Sequence, residues 1–183
     1  MADWVLSGDG EKGYGLDNGV GGENHLRVPA IVGRAGLIAA AAKREGDMAT
    51  PIGRWPLRHI YYRQDIVGRL PWPLPSSPIT RQCGWCDDPA SPAYNRHVTL
   101  PFNASCETMW RDDGAYDLVV MLGYNDAPPI AGHGSAIFLH CIAPEKTGTA
   151  GCVAVARDDL VRLLNGAGRD QHLVVPDLRA AGG

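Results

Sequence analysis

Apolar residues along this chain come in short runs that are separated by glycine, proline and charged residues. The run at residues 116–124 is rich in β-forming residues and has turn residues on both sides, and residues 58–67 and 136–140 have the same character. Short apolar runs bounded in this way are typical of β-strands. The pattern predicts a mainly β fold of short strands, with 116–124 beside 136–140 in the core sheet.

Helical periodicity is confined to the C-terminal part of the chain. Leu160, Leu163 and Leu164 share one helical face, and Asp158 and Asp159 precede them, which predicts a helix at about 157–164 with an acidic first turn. Less regular segments predict strands at 25–32, broken by a proline, at 37–42, where a helical turn is the alternative, and at 172–176. The proline-rich segment 70–79 predicts no regular element, and the spacing within 105–111 predicts a helix or turn.

Length and composition set limits on the class of protein. The chain has 183 residues, enough for one domain with a substantial core, and its 23 Gly and 14 Pro favour turns and short strands over long helices. The formal net charge of −3 gives no electrostatic basis for binding nucleic acid. No apolar run approaches the roughly 20 residues that a membrane span requires, so no integral membrane segment is expected.

The two ends of the chain differ in composition from the middle. Residues 1–24 are glycine-rich and acidic and lack the apolar core of a signal peptide. We expect them to form a flexible lead-in. A single domain is expected at 25–176 and a flexible tail at 177–183.

Five cysteines, an odd number, leave at least one thiol free. Cys83 and Cys86 form a CxxC pair, but a zinc site would need a second ligand pair at suitable spacing, and the sequence offers no convincing one. The proline-rich surroundings also lack the βαβ context of a redox CxxC. Two ordinary thiols or a local disulfide are expected, and neither a metal nor an organic cofactor is predicted.

The stretch 132–160 carries the candidate chemistry. An apolar run ends at His140, and Cys152 follows Gly151 after eleven intervening residues, which is enough chain for a strand to end, a return loop and a second segment beside the first. An imidazole beside a thiol can take its proton and produce a nucleophilic thiolate. Gly151 leaves room for a substrate carbonyl, and the turn at 149–151 can aim backbone N–H groups at an oxyanion. The alternative is a buried small thiol and a structural histidine.

These residues resemble the YkuD-type L,D-transpeptidases. GSAIFLH followed by TAGCVAV is similar to the family's active-site signature, in which His140, Thr149, Gly151 and Cys152 match the histidine, the Ser/Thr, the glycine and the nucleophile. Two positions depart from it: Ala150, where many members have His, and Ala154, where many have Arg.

The resemblance extends over roughly residues 30–165. A Lys-x-Glu-Gly-Asp segment leads into Thr-Pro-x-Gly at 50–53, and the GWCDDP, YN, SCETMWR and YD segments follow. Together these are similar to a branch of the family found in Gram-negative bacteria. The implied fold is a mixed β-sandwich with a few short helices.

Several further residues are candidates for substrate contact. Aromatic, amide and guanidinium side chains suit a peptide or amino-sugar ligand, and His133 and Ser135 precede the candidate catalytic strand. Each has the alternative interpretation of a structural loop residue. The candidates are Trp85, Tyr94, Asn95, Arg96, His133, Ser135 and, by its match to the family signature, Thr149.

The resemblance implies an enzyme that cross-links peptidoglycan. Cys152 would form a thioester with one stem peptide and pass it to an amine of a second, with His140 as general base and acid and a backbone carbonyl near Cys141 orienting the imidazole. Donor and acceptor stem peptides are the implied partners, carbapenems the implied inhibitors, and the periplasm or cell envelope the implied location. Two alternatives remain: an L,D-carboxypeptidase or endopeptidase with the same Cys–His pair, and an inactive peptidoglycan-binding module.

Overall fold

The computed structural model describes residues 2–9 and 13–178 of the chain. These residues contain thirteen β-strands and one α-helix. Two short 3₁₀ turns, Gly22–Asn24 and Ala40–Ala42, complete the regular structure of this part of the chain. The strands are β1 Trp4–Asp9, β2 Gly13–Asp17, β3 Arg27–Ile31, β4 Leu37–Ala39, β5 Thr50–Tyr62, β6 Ser76–Pro78, β7 Cys83–Cys86, β8 His97–Thr99, β9 Cys106–Thr108, β10 Leu118–Leu122, β11 Phe138–Cys141, β12 Val153–Val155 and β13 His172–Val175, and the helix is α1 Arg157–Asn165.

The main sheet closes on itself through the long strand β5. The order of hydrogen-bonded strands is β10-β11-β12-β3-β2-β1-β13-β5, and β5 also pairs with β10. The first part of β5 pairs with β13 and its last part with β10, which closes the ring. Parallel and antiparallel pairs both occur, as in β11–β12 and β10–β11. The predicted mainly β fold with a mixed sheet and few helices is confirmed.

A smaller sheet, in the order β8-β7-β9, packs beneath the end of β11. The ring of Trp85 in β7 meets Phe138 in β11 edge-on, with centroids 4.9 Å apart. Met109, Tyr116 and Cys152 belong to the same buried cluster. This second apolar cluster therefore forms the floor beneath the segment predicted to carry the chemistry.

Helix α1 follows the sequence pattern closely. It starts at Arg157 with Asp158 and Asp159 in its first turn, where acidic groups interact favourably with the helix dipole. Leu160, Leu163 and Leu164 are its buried residues. The prediction of a short helix after β12 is confirmed. No helix of residues 2–9 and 13–178 has the length and apolar character needed to span a bilayer.

The N-terminal segment differs from the prediction. Residues 4–9 and 13–17 are not a flexible lead-in but the paired strands β1 and β2, and β1 also pairs in parallel with β13. Trp4, Leu6 and Leu16 are buried at 1%, 0% and 0% exposure. Burial of this apolar surface explains why a glycine-rich segment is ordered. Residues 179–183 of the predicted tail lie outside the described residues.

Three other segments also differ from expectation. The Thr-Pro-x-Gly segment at 50–53, which has the composition of a turn, is the start of β5, because it pairs in parallel with β4. Part of 105–111 is strand β9 rather than a helix, since it pairs with β7. The proline-rich segment contains the short strand β6 beside β5. In each case the pairing partner is distant in sequence and determines the local structure.

Whether β1 is a folded strand with buried side chains can be tested by substitution. Leu6→Val removes one buried methylene, and we expect the free energy of unfolding to fall by about 1 kcal/mol. Chemical denaturation measures this value. Val20→Ala, at a 36% exposed side chain, is the control and should be close to neutral. An unchanged stability of Leu6→Val would contradict the burial of β1.

Candidate active site

Cys152 lies at the end of a tight loop, directly before β12. The Thr149 Oγ1 accepts a hydrogen bond from the Gly151 N–H at 3.1 Å and donates one to the Cys152 carbonyl at 2.7 Å. Thr50 Oγ1 donates a second bond to the same carbonyl at 3.2 Å. Both threonines are buried, so two protected hydroxyl groups hold the backbone of the candidate nucleophile.

Gly151 occupies a position that only glycine fits. Its φ is +141°, and a Cβ there would lie 3.0 Å from the Ala49 carbonyl oxygen and 3.2 Å from Ile137 Cδ1. Its N–H is already bonded to Thr149. The Gly151 N–H therefore shapes the loop in this structure, and the oxyanion role of the turn at 149–151 stays a prediction.

The thiol of Cys152 lies between two backbone groups of residues 136–138, which lead into β11 and are called the strand-entry segment below. It donates to the Ala136 carbonyl at 3.1 Å, and Phe138 N–H donates to the sulfur at 3.4 Å. The residue is 7% exposed. Burial raises the pKa of Cys152 to about 12, although the Phe138 N–H acts in the opposite direction.

His140 on β11 is held in one orientation by the backbone. Its Nδ1 lies 2.8 Å from the Cys141 carbonyl oxygen, which can only accept, so Nδ1 carries the proton and Nε2 is the basic nitrogen. Tyr116 meets the imidazole edge-on with centroids 5.3 Å apart. The predicted carbonyl near Cys141 that orients the ring is confirmed.

The charge states differ from the expected thiolate–imidazolium pair. Burial lowers the pKa of His140 to about 4, although its hydrogen bond to the Cys141 carbonyl raises it. The pKa of the Cys152 thiol is raised by burial. At neutral pH both groups are therefore uncharged in this structure, because ionisation is unfavourable in a desolvated site.

Strand pairing places the two groups on one face. His140 pairs with Ala154 across the parallel strands β11 and β12, and Cys152, two residues before Ala154, shares its face. Both groups line a cleft of about 440 Å³. Within the described residues no hydrogen bond joins the sulfur to the imidazole, so they share the cleft without a direct bond.

A family model for the L,D-transpeptidase catalytic domain, YkuD, matches residues 17–171. The chain belongs to this family. Members of this family are generally cysteine-dependent L,D-transpeptidases. Membership of the family implies a substrate related to peptidoglycan and a function in the cell envelope. The resemblance of the sequence to the YkuD family is thereby confirmed.

Other comparisons add little to this L,D-transpeptidase assignment. A search of curated proteins gave no match. Among solved structures, the chain is similar to "Structure of Bdellovibrio bacteriovorus Bd1075", with 16% sequence identity and a TM-score of 0.45. The match covers 97% of this chain and 49% of the other, so the chain spans about half the length of that protein.

Three residues of the L,D-transpeptidase domain that were predicted to contact substrate, Trp85, Tyr94 and Asn95, lie behind the wall of the cleft. Asn95 Oδ1 accepts from Trp85 Nε1 at 2.9 Å and from Ala136 N–H at 3.0 Å. Tyr94 donates to Glu45 at 2.5 Å and accepts from the Gly134 N–H at 3.0 Å. Trp85, Tyr94 and Asn95 are buried and do not line the cleft. They support its wall, which matches the alternative interpretation of a pinned loop.

Arg96 and His133 are also outside the lining of the cleft. Arg96 is exposed and His133 partly so. The backbone carbonyl of His133 accepts a bond from Tyr124 Oη at 2.6 Å, which fixes the loop before β11. The structure therefore does not bring either side chain to the predicted position.

Ser135 and Thr149 do line the cleft, but both hydroxyl groups are engaged. Ser135 Oγ donates to Glu45 Oε2 at 2.8 Å, and Thr149 holds the loop at Cys152. The charged, glycine-containing segment around Glu45 has the composition of a solvated loop. The structure instead buries Lys43 to 2% exposure, with its ammonium 2.5 Å from Asp47 Oδ1.

A second set of charged side chains at the cleft was not predicted from the sequence. Arg111 makes a bidentate pair with Asp113, at 3.0 and 2.5 Å, and lies 3.6 Å from Glu107. Tyr116 Oη donates to Glu107 at 2.8 Å. Burial raises the pKa of Glu107 even though Tyr116 and Arg111 favour its charged form. Glu107 and Arg111 lie in the SCETMWR segment of the resemblance and Tyr116 in the YD segment, and neither segment indicated their position at the cleft.

Metal ligands are not grouped in the part of the chain that the structure describes. No set of three or more His, Cys, Asp or Glu residues among residues 2–9 and 13–178 is arranged to hold a metal ion. The five cysteines are free thiols. Cys83 and Cys86 lie in strand β7, three residues apart and so about 10 Å from each other, which excludes the local disulfide considered above.

Proposed function

We propose that this domain is a peptidoglycan L,D-transpeptidase that uses Cys152 as nucleophile. The substrate bond joins an L-residue to a D-residue, or to the D-centre of meso-diaminopimelate, in a stem peptide. The observation that carries the proposal is the contact of His140 Nδ1 with the Cys141 carbonyl oxygen, because a partner that can only accept leaves Nε2 as a base in the cleft that holds the Cys152 thiol.

The first half-reaction acylates the enzyme. As the sulfur of Cys152 adds to the substrate carbonyl, its proton passes to Nε2 of His140. The tetrahedral intermediate then collapses, the C–N bond breaks, and the imidazolium returns the proton to the leaving amine. A thioester with the L-residue remains. Because the resting thiol is neutral, proton removal accompanies attack rather than preceding it.

The second half-reaction transfers the acyl group. The amine of a second stem peptide attacks the thioester, His140 takes the amine proton, and the sulfur leaves and is reprotonated. A new amide cross-link forms and the free thiol returns. If water attacks instead, the same steps give a carboxylate and hence carboxypeptidase or endopeptidase activity.

The lining of the cleft suits a zwitterionic peptide. Stem peptides present both amines and carboxylates, and charged groups of each sign in one cleft complement such a ligand. The cationic side chains in the lining are Arg34, Lys43, Arg111 and Lys146, and the carboxylates are Glu45, Asp87, Glu107 and Asp113.

Product analysis with purified sacculi tests the proposal. The enzyme is incubated with sacculi, muropeptides are released and resolved by mass spectrometry, and Cys152→Ala serves as the blank. We expect new dimers joined through an L-to-D or L-to-meso-diaminopimelate bond, absent from the blank. Shortened monomers in their place would replace transferase with hydrolase activity. Binding to sacculi with no product would support the inactive binding module and overturn the catalytic assignment.

A further inference from the structure

Strands β7 and β9 bring two of the five thiols into direct register. Cys86 pairs with Cys106 across this antiparallel ladder. Its neighbouring hydrogen bonds run from Met109 N–H to the Cys83 carbonyl at 3.0 Å and from Asp87 N–H to the Ser105 carbonyl at 3.2 Å. Hydrogen-bonded pairs alternate along such a ladder, so Cys86 and Cys106 form a non-hydrogen-bonded pair.

The backbone hydrogen bonds that Cys86 makes on the side away from β9 confirm this alternation. Its N–H donates to the Arg96 carbonyl at 2.9 Å and its carbonyl accepts from Asn95 N–H at 2.8 Å. Both backbone groups therefore point away from β9. Non-hydrogen-bonded pairs have Cα atoms about 4.5 Å apart and side chains on the same face, and disulfides require Cα separations of about 4.4–6.8 Å.

We propose that Cys86 and Cys106 are a cross-strand redox pair that closes to a disulfide on reaction with a low-molecular-weight disulfide such as glutathione disulfide. The other three thiols have hydrogen-bond partners: Cys83 at Thr80, Cys141 at the Leu118 carbonyl and Cys152 at the Ala136 carbonyl. Within the described residues no such bond is recorded for Cys86 or Cys106.

The order of the chemical steps follows from exposure. Cys106 is partly exposed, whereas Cys86 is fully buried at 0% exposure. The thiolate of Cys106 attacks glutathione disulfide and releases one glutathione thiolate. Cys86 then loses its proton and attacks the Cys106 sulfur of the mixed disulfide, releasing the second. Both protons end on glutathione, so two protein thiols are oxidised and one glutathione disulfide is reduced to two thiols.

The consequence for the fold lies at the wall of the cleft. Asp87 and Glu107 line the cleft, and each directly follows one of the paired cysteines. The disulfide would join their strands covalently and close the loop 87–105, which contains Tyr94 and Asn95. The bond would thus stabilise the wall that supports the strand-entry segment before His140.

Peptide mapping of the oxidised protein tests the proposal. The full chain is incubated with glutathione disulfide, free thiols are blocked with N-ethylmaleimide in denaturant, and the product is cleaved with trypsin. Cys83 and Cys86 share the peptide 82–96, and Cys106 lies in 97–111. We expect a link between these peptides and, in the sample taken before N-ethylmaleimide is added, an intact-mass loss of about 2 Da. The thermal midpoint should rise by about 5–10 °C, because the bond closes a loop of the unfolded chain.

Two variants separate the possible partners. Cys83→Ser should keep both the linked peptides and the thermal shift, since only Cys86 then remains in 82–96. Cys106→Ser should lose both. A link that disappears in Cys83→Ser, a lasting glutathione adduct on Cys106, a disulfide between two chains, or five thiols that remain open to N-ethylmaleimide would each overturn the proposal.

Discussion

Replacement of His140 by glutamine is expected to slow the acylation of Cys152 by a carbapenem about 10²–10⁴-fold, the usual contribution of a general base. Burial raises the pKa of the Cys152 thiol to about 12, so the thiol is protonated at pH 7. Nucleophilic attack therefore depends on a group that takes the proton as the bond forms. Glutamine cannot do so. Intact-mass measurement of adduct formation over time gives the second-order rate constant.

The pH profile distinguishes this mechanism from a preformed ion pair. Burial lowers the pKa of His140 to about 4, so its neutral, basic form is depleted only as the pH falls towards that value. We expect acylation by the wild-type enzyme to stay nearly constant from about pH 5 to pH 8 and to decline below about pH 5. A decline centred near pH 6.5 would show that the imidazole is not desolvated as in the structure.

A matched substitution is available in the same part of the chain. His133 lies outside the lining of the cleft, and His133→Gln should leave the rate within about twofold because it does not contact the reacting atoms. Cys152→Ala supplies the blank without adduct. If His140→Gln acylates as fast as His133→Gln, the assignment of His140 as the base is wrong.

The Cys–His site could be predicted from sequence because its geometry is largely local. His140 ends a short apolar strand, and Cys152 precedes Val153–Val155, which pairs with that strand in parallel. The return loop is short, so spacing alone brings the two segments together. Helix α1 was predictable for the same reason: its three leucines and acidic first turn lie within one continuous segment.

The parts of the fold and of the site that could not be predicted depend on contacts between residues far apart in the chain. Strand β1 is ordered because it pairs with β13 near the opposite end of the sequence, and its glycine-rich surroundings hide this. Asn95 is polar and resembles a ligand-binding residue, yet its carboxamide bonds Trp85 and Ala136 inside the wall. A sequence pattern shows which groups can donate or accept, but not whether protein groups already occupy them.

Replacement of Thr149 by valine is expected to lower the acylation rate on the order of 10²-fold and the free energy of unfolding by about 2–3 kcal/mol. Valine keeps the shape but removes the hydroxyl that accepts from Gly151 N–H and donates to the Cys152 carbonyl. The buried Gly151 N–H then lacks its partner, while Thr50 still bonds the Cys152 carbonyl. The loop that aims the sulfur loses its fixed geometry.

Thr147→Val is the matched control, because Thr147 is exposed in the same loop and its substitution should change stability by less than about 0.5 kcal/mol. Thr149→Ser keeps the hydroxyl and should retain most of the rate. Denaturation and carbapenem acylation measured on all three variants separate two roles for Thr149. If Thr149→Val loses rate but no stability, the hydroxyl contacts the ligand, as its match to the family signature suggested. A parallel loss of both means that its role is to hold the Cys152 loop, because only a group bonded within the folded protein affects stability without ligand present.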